Sequence, residues 1–290
     1  MLAAIIAAAA LQFSTGDADL AWTVAAGLVE RHTPRDAGTS RGRAAAAFLC
    51  DEAKNAGADA RIDSFTVPVR GVRRRMSNVV AEFRRDSSAG WIVLVSHFDT
   101  KPGARCPGAN DGASTSGLLV ALAGVLSRAP DLPCNVMLLW TDGEECIDCY
   151  SEEDGLWGSR RAASLLASER RDVIAVVCLD MLGDRRLGIS IPRNSSSALV
   201  SVALDAAGRV GMADRVCAVP ELVKDDHMPF LLKGFRSIDL IDFHYGSAPG
   251  LNDWWHTPAD TMDKVASGSL HASARLVLEM VAALTDGGAF

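Results

Sequence analysis

A single α/β domain, with a central, mostly parallel mixed β-sheet flanked by helices, is the fold class that the 290-residue sequence predicts. Three observations predict it. Four short apolar runs, at residues 91–95, 135–140, 173–179 and 237–242, lack polar alternation, as strands do when both faces of their sheet are covered. Helical stretches at 114–129, 159–169, 196–211 and 268–285 separate or follow them, and strand–helix alternation is the pattern of a parallel sheet wrapped by helices. No repeat, low-complexity tract or linker divides the chain.

The elements before that alternation read in order. Residues 1–13 form an Ala-rich apolar run, too short to span a bilayer. It resembles the apolar core of a secretory signal, although no Lys or Arg precedes it. Residues 1–15 are therefore expected to be a signal-like segment, with export to the periplasm or medium. A first amphipathic helix and a cytoplasmic chain are the alternative. Residues 16–290 form the domain. Apolar residues at helical spacing predict helices over 17–31 and 41–56, and the Pro- and Gly-containing 32–40 is a loop. Residues 60–70 and 76–83 alternate and predict a hairpin, with Gly71-Val-Arg-Arg-Arg75 as its solvated tip.

Composition narrows the function. With 49% apolar and 22% charged residues, the chain can bury a large core. A net charge of −7 offers no basic field for a nucleic-acid backbone. No internal stretch of about 20 apolar residues predicts a membrane span. Seven irregularly spaced cysteines do not make a disulfide scaffold, and Cys146-x-x-Cys149 has no second pair with which to form a four-thiolate metal site. Both are expected to be structural thiols, with a redox role as the alternative.

In open α/β sheets, ligands bind beyond the carboxyl ends of the strands. Each apolar run here leads toward a candidate metal ligand. The first enters Ser96-His97-Phe98-Asp99, the second Thr141-Asp142-Gly143-Glu144-Glu145, and the third Leu179-Asp180. After the fourth comes Trp254-Trp255-His256-Thr257, and Asn110-Asp111-Gly112 opens a helix between the first two. Each signal alone is weak. Together they put imidazoles and carboxylates on one rim, a donor set that suits Zn²⁺. Adjacent Glu144 and Glu145 can divide labour, one ligating metal while the other moves a proton.

In that order, His97-x-Asp99, Asp111, Glu144-Glu145, Asp180 and His256 resemble peptidase family M28 of the zinc aminopeptidase-like superfamily (phosphorylase/hydrolase-like fold), from about residue 75 to 266. For two-zinc members, the resemblance implies Asp111 bridging both ions. Glu145 and His256 complete one ion, His97 and Asp180 the other, with Asp99 orienting His97 and Glu144 as base. A finer resemblance is to the glutaminyl cyclases. Cys146–Asp154 is inserted between the Glu pair and Gly155-Leu-Trp-Gly-Ser159, Asp225-Asp-His-Met-Pro-Phe230 is similar to the cyclases' Asp-Asp-His-x-Pro-Phe, and Trp255-His256-Thr257 to their Trp-His-Thr.

That likeness implies a zinc-dependent glutaminyl-peptide cyclotransferase acting on peptide or protein N-termini. One zinc would be held by Asp111, Glu145 and His256. Glu144 would shuttle the proton, Asp180 and Asp225 would form a carboxyl network with it, and Trp255 and Tyr150 would line the pocket. A two-zinc aminopeptidase is the alternative, with His97 a second-metal ligand rather than a free histidine. A monomer is expected. For other residues the plain readings are structural: Trp91, Trp140 and Trp157 as core or pocket-wall aromatics, Asp142 in a turn, Arg160 paired locally, and His227 a hydrogen-bonding residue behind the site. His32, His244 and His271 are expected at the surface or in local bonds.

Overall fold

A computed structural model describes residues 11–86, 88–129 and 131–285. The strands are β1 (Ala60–Val69), β2 (Val72–Phe83), β3 (Trp91–His97), β4 (Asn135–Thr141), β5 (Val173–Asp180), β6 (Ile189–Pro192), β7 (Val216–Val219) and β8 (Ser237–Ile241). The helices are α1 (Thr15–His32), α2 (Ser40–Asn55), α3 (Thr115–Ser127), α4 (Trp157–Ser168), α5 (Ser197–Val210), α6 (His227–Leu232) and α7 (Ser267–Thr285). They build one eight-stranded sheet of order β1-β2-β4-β3-β5-β8-β6-β7. β4, β3, β5 and β8 run parallel at its centre, while β2 on β1 and β4, and β6 on β8, are antiparallel.

The unalternating runs are central strands, and their side chains divide by parity. Ile92, Leu94, Val136, Leu138, Trp140, Ala175, Val177 and Leu179 pack under α1, α2, α3, α5 and α7. Trp91, Val93, Val95, Met137, Leu139, Val176 and Cys178 pack against α4 and α6. Successive strand side chains point to opposite faces, so an all-apolar strand serves two cores at once. Trp91, Trp140 and Trp157 are buried.

Helix ends follow local chemistry. Ser14 accepts from Asp17 N (3.1 Å) and its own N–H donates to the Asp17 carboxylate (2.9 Å), a reciprocal cap that starts α1. Thr39 caps α2 through Gly42 N at 3.0 Å. Of the N-terminal apolar run, residues 1–10 lie outside the described residues, and Leu11 and Phe13 are buried in the larger core. Among the described residues no helix is long and apolar enough to cross a membrane.

One expectation needs correction, and two strands went unread. The hairpin tip is Arg70-Gly71, both in the left-handed region (φ 51° and 77°), and β2 already starts at Val72. Arg73, Arg74 and Arg75 are therefore strand residues opposite Pro68, Val67 and Thr66 rather than a turn, though they do face solvent. A two-residue turn with positive φ matches strand twist, and so takes precedence over the looser loop that the Arg run suggested. The sequence reading also lacked β6 and β7, four residues each, which are too short to carry a periodic signal.

Gly117 lets α3 approach α1: a Cβ there would lie 2.2 Å from the Ala21 carbonyl oxygen. Gly117→Ala is expected to lower unfolding free energy by about 1–3 kcal/mol, the usual cost of overpacking. Urea denaturation checks this, and an unchanged midpoint would contradict the close approach.

Candidate active site

The site forms where β3, β4, β5 and β8 end. Parallel strands deliver His97, Thr141, Asp180 and Ile241 to one edge. Past β3 the chain forms a wide helical turn, Ala109–Ser114, broken at Asp111 (φ −82°, ψ 94°) and Gly112 (φ 89°). A Cβ on Gly112 would meet the His97 ring at 2.9 Å, so glycine lets the turn press Asp111 against that imidazole. Met181 and His256 also have positive φ (58° and 56°), a conformation that non-glycine residues adopt rarely and that recurs at functional sites.

Asp111 is shared. Its Oδ1 lies 3.1 Å from His97 Nε2 and its Oδ2 3.2 Å from His256 Nε2. His256 Nε2 also lies 2.8 Å from Glu145 Oε1, and His97 Nε2 lies 3.2 Å from Asp180 Oδ1. Two donor groups result, Asp111–Glu145–His256 and His97–Asp111–Asp180, each with its ligand atoms within 4.8 Å of one another. Carboxylate and imidazole donors so gathered, with carboxylates in excess and buried, fit a divalent cation.

Glu144 and Glu145 leave β4 on a turn pinned by Asp99, whose oxygens accept from Glu144 N (3.1 Å) and Glu145 N (3.2 Å). Asp99 Oδ1 also lies 3.6 Å from His97 Nδ1, so the carboxylate sits against the imidazole while its hydrogen bonds fix the glutamate turn. Glu144 Oε1 accepts from the Tyr150 hydroxyl at 2.7 Å. Tyr150 is thus both wall and donor. Its loop is tied down by Asp154, which accepts from Ile147 N (2.7 Å) and Asp148 N (2.9 Å). Cys146 is buried and Cys149 exposed, and both are free thiols.

Glu144, Asp180 and Asp225 face one 340 Å³ cavity with Tyr150, Phe243 and Trp255. The expected carboxyl network around Glu144 takes a different form. Asp180 is bonded to His97, and Asp225 accepts from Cys178 Sγ at 3.4 Å. Neither makes a hydrogen bond to Glu144 among the described residues; Asp225 acts on it through charge. Trp255 stacks on His256 with ring centroids 3.8 Å apart and is flanked by Phe243 at 5.1 Å.

Burial dominates the electrostatics. It holds Glu144 well above the ordinary carboxylate range, reinforced by neighbouring Glu145. It pushes Asp180 up to about 6 and, with Asp180's charge, Asp225 up to about 7. For Asp111 burial is outweighed by the bonds to His256 and His97, which hold it below the usual range. His256 rises to about 9 despite burial, through Asp111 and Glu145.

Two positioning residues escaped the sequence reading. Arg35 is fully buried and donates to the carbonyls of Phe98, Pro107 (2.7 Å) and Gly108 (2.6 Å), bracing the loop that carries Asp111. Asp260 accepts from Asn110 N (2.7 Å), Asp111 N (3.2 Å) and the Tyr245 hydroxyl (2.7 Å). Asp260, four residues after His256, was findable as a carboxylate behind a candidate ligand; Arg35 carries no motif. Elsewhere, His227 is buried, pushed down to about 4 by burial, and bonded to Asn194 at 2.9 Å. Asp142 accepts from Ser77 N at 2.8 Å, and Arg160 donates to the Ser151 and Glu152 carbonyls.

With this geometry in hand, the chain matches the model of peptidase family M28 over residues 78–281. A crystal structure of an Acidobacteriales bacterium glutaminyl cyclase superposes with a TM-score of 0.86 at 30% identity, covering 94% of this chain and 96% of that one. Porphyromonas gingivalis glutaminyl cyclase gives a TM-score of 0.81 at 27% identity, covering 91% and 97%. In sequence, the glutaminyl-peptide cyclotransferase of Drosophila melanogaster is 25% identical over 287 residues, covering 87% of this chain and 79% of the relative. The chain belongs to peptidase family M28 and stands with the glutaminyl cyclases within it.

Proposed function

We propose that the protein is a zinc-dependent glutaminyl-peptide cyclotransferase, converting an N-terminal glutamine of a peptide or protein to pyroglutamate with release of ammonia. One observation carries the reading. Glu144, a buried carboxyl with a raised pKa, faces the same cavity as Asp111, Glu145, His256 and the Trp255 ring.

Asp111, Glu145 and His256 would hold one zinc, which supplies polarisation of the γ-carboxamide carbonyl and stabilisation of the charge that develops on its oxygen. Trp255, with Phe243 behind it, gives the glutamine side chain an apolar wall. Asp180 and Asp225 bring acceptor oxygens into the cavity where the α-amine docks. Glu144 takes a proton from that amine as its nitrogen bonds to the amide carbon. The C–N bond to the leaving nitrogen then breaks, and Glu144 returns the proton, giving neutral ammonia and a five-membered lactam. A carboxyl held above the ordinary carboxylate range is a stronger base when ionised, and so is better suited to both transfers than an unperturbed one. Holding amine and amide together in one pocket removes much of the ring-closure entropy cost.

The second donor group, His97–Asp111–Asp180, favours one other reading, a two-metal aminopeptidase. Paired assays separate the two. A glutaminyl peptide is expected to lose ammonia and gain a blocked N-terminus, while a leucyl anilide stays intact; leucine release without pyroglutamate would overturn the cyclase reading.

Two variants sharpen it. Glu144→Gln keeps the cavity but removes the proton acceptor, and is expected to slow ammonia release by about 10²–10⁴-fold with zinc content unchanged; a rate within a few-fold of wild type would contradict the role. Tyr150→Phe removes a donor that favours ionised Glu144. Glu144's pKa then rises further. Because the base acts deprotonated, the acid limb of the kcat/KM–pH profile is expected to move to higher pH. A limb that stays in place or moves to lower pH would show that this bond does not tune the base.

A further inference from the structure

Lys101 stands behind the glutamate pair, on the loop that follows His97 and Asp99. Its Nζ donates to the Cys146 carbonyl at 2.7 Å, lies 3.1 Å from Cys146 Sγ, and sits 3.5 Å from Glu145 Oε2. The two Glu145 oxygens have different surroundings. Oε1 faces His256 Nε2 at 2.8 Å. Oε2 is buried and has no hydrogen-bond partner among the described residues, and Lys101 is the cation beside it. The same Nζ lies 5.9 Å from the centre of the Tyr150 ring, whose hydroxyl binds Glu144. The Lys101 side chain is 17% exposed, so solvent screens this charge less than it would a surface lysine.

We propose that Lys101 is a positioning residue for the metal centre. It holds the outer oxygen of Glu145, so that Oε1 alone is presented toward Asp111 and His256. Through the Cys146 carbonyl it also anchors the start of the loop that brings Tyr150 onto Glu144. One cation thereby keeps two adjacent, chemically identical side chains in different roles, Glu145 as ligand and Glu144 as proton carrier. A neutral residue at 101 would leave Glu145 free to rotate or to bind through both oxygens, and would leave its buried charge uncompensated. This inference rests on zinc binding at Asp111, Glu145 and His256.

The test is zinc affinity, measured by competition with a chromogenic chelator on wild type, Lys101→Met and Lys101→Arg, with unfolding midpoints of the metal-free proteins as a control. Partners that orient metal ligands typically contribute 10–100-fold in affinity. Lys101→Met is expected to weaken zinc by that factor in a protein that still unfolds cooperatively without metal, and Lys101→Arg, which keeps the charge, is expected to recover most of the loss. If Lys101→Met does not fold, Lys101→Gln, which keeps a donor for the Cys146 carbonyl but not the charge, is measured instead and is expected to show the same loss. Wild-type affinity in a folded neutral variant would overturn the proposal alone. A wild-type protein that binds no zinc would overturn it together with the metal reading beneath it.

Discussion

Two imidazoles meet at one carboxylate. Asp111 reaches His97 with one oxygen and His256 with the other, at 3.1 and 3.2 Å, and both candidate metal groups are defined by this sharing. The surrounding structure serves to keep Asp111 in place. Arg35 braces the preceding loop from below, Asp260 receives the N–H groups of Asn110 and Asp111, and Gly112 takes the positive φ that lets the turn lie close against His97. A buried guanidinium and a buried carboxylate each carry a desolvation cost, which here is offset by the backbone groups they satisfy. In exchange, the backbone beneath Asp111 has little freedom to move as substrate enters and ammonia leaves.

Around that fixed point the site separates roles by environment. Glu144 and Glu145 are neighbours on one turn, both N–H groups held by Asp99, yet their side chains face different partners. Glu145 meets His256, while Glu144 meets the Tyr150 hydroxyl and the cavity. Burial raises both, but only Glu144 opens toward the substrate space without an imidazole bonded to it. Divergent surroundings for two carboxyls commonly mark separate acid–base assignments.

Much of this was legible in the chain. The unalternating strands predicted a doubly covered sheet, and the parity with which Ile92 and Val93 serve opposite cores is the physical reason they do not alternate. His97, Asp111, Glu145, Asp180 and His256 could be read because each follows or neighbours such a strand and because the order of ligands is specific. What could not be read depends on long-range closure. Arg35 acts through three carbonyls 63 to 73 positions away, a relation no local pattern encodes. The pairing of Tyr150 with Glu144 depends on how Asp154 folds the intervening loop, and Asp99's engagement with the glutamate turn depends on β3 lying beside β4. The Arg73–Arg75 run does face solvent, but solvent-facing charge occurs on a strand as readily as in a turn, and the positive-φ pair Arg70-Gly71 fixes the turn.

Cyclase and aminopeptidase readings differ most sharply at His97. The measurement that tests the account most directly is an anomalous-diffraction map of the zinc-loaded crystal. The account predicts a single peak among Asp111, Glu145 and His256, with His97 bonded to Asp180 and free of metal. Two peaks of comparable height, the second between His97 and Asp180 with Asp111 bridging, would contradict it.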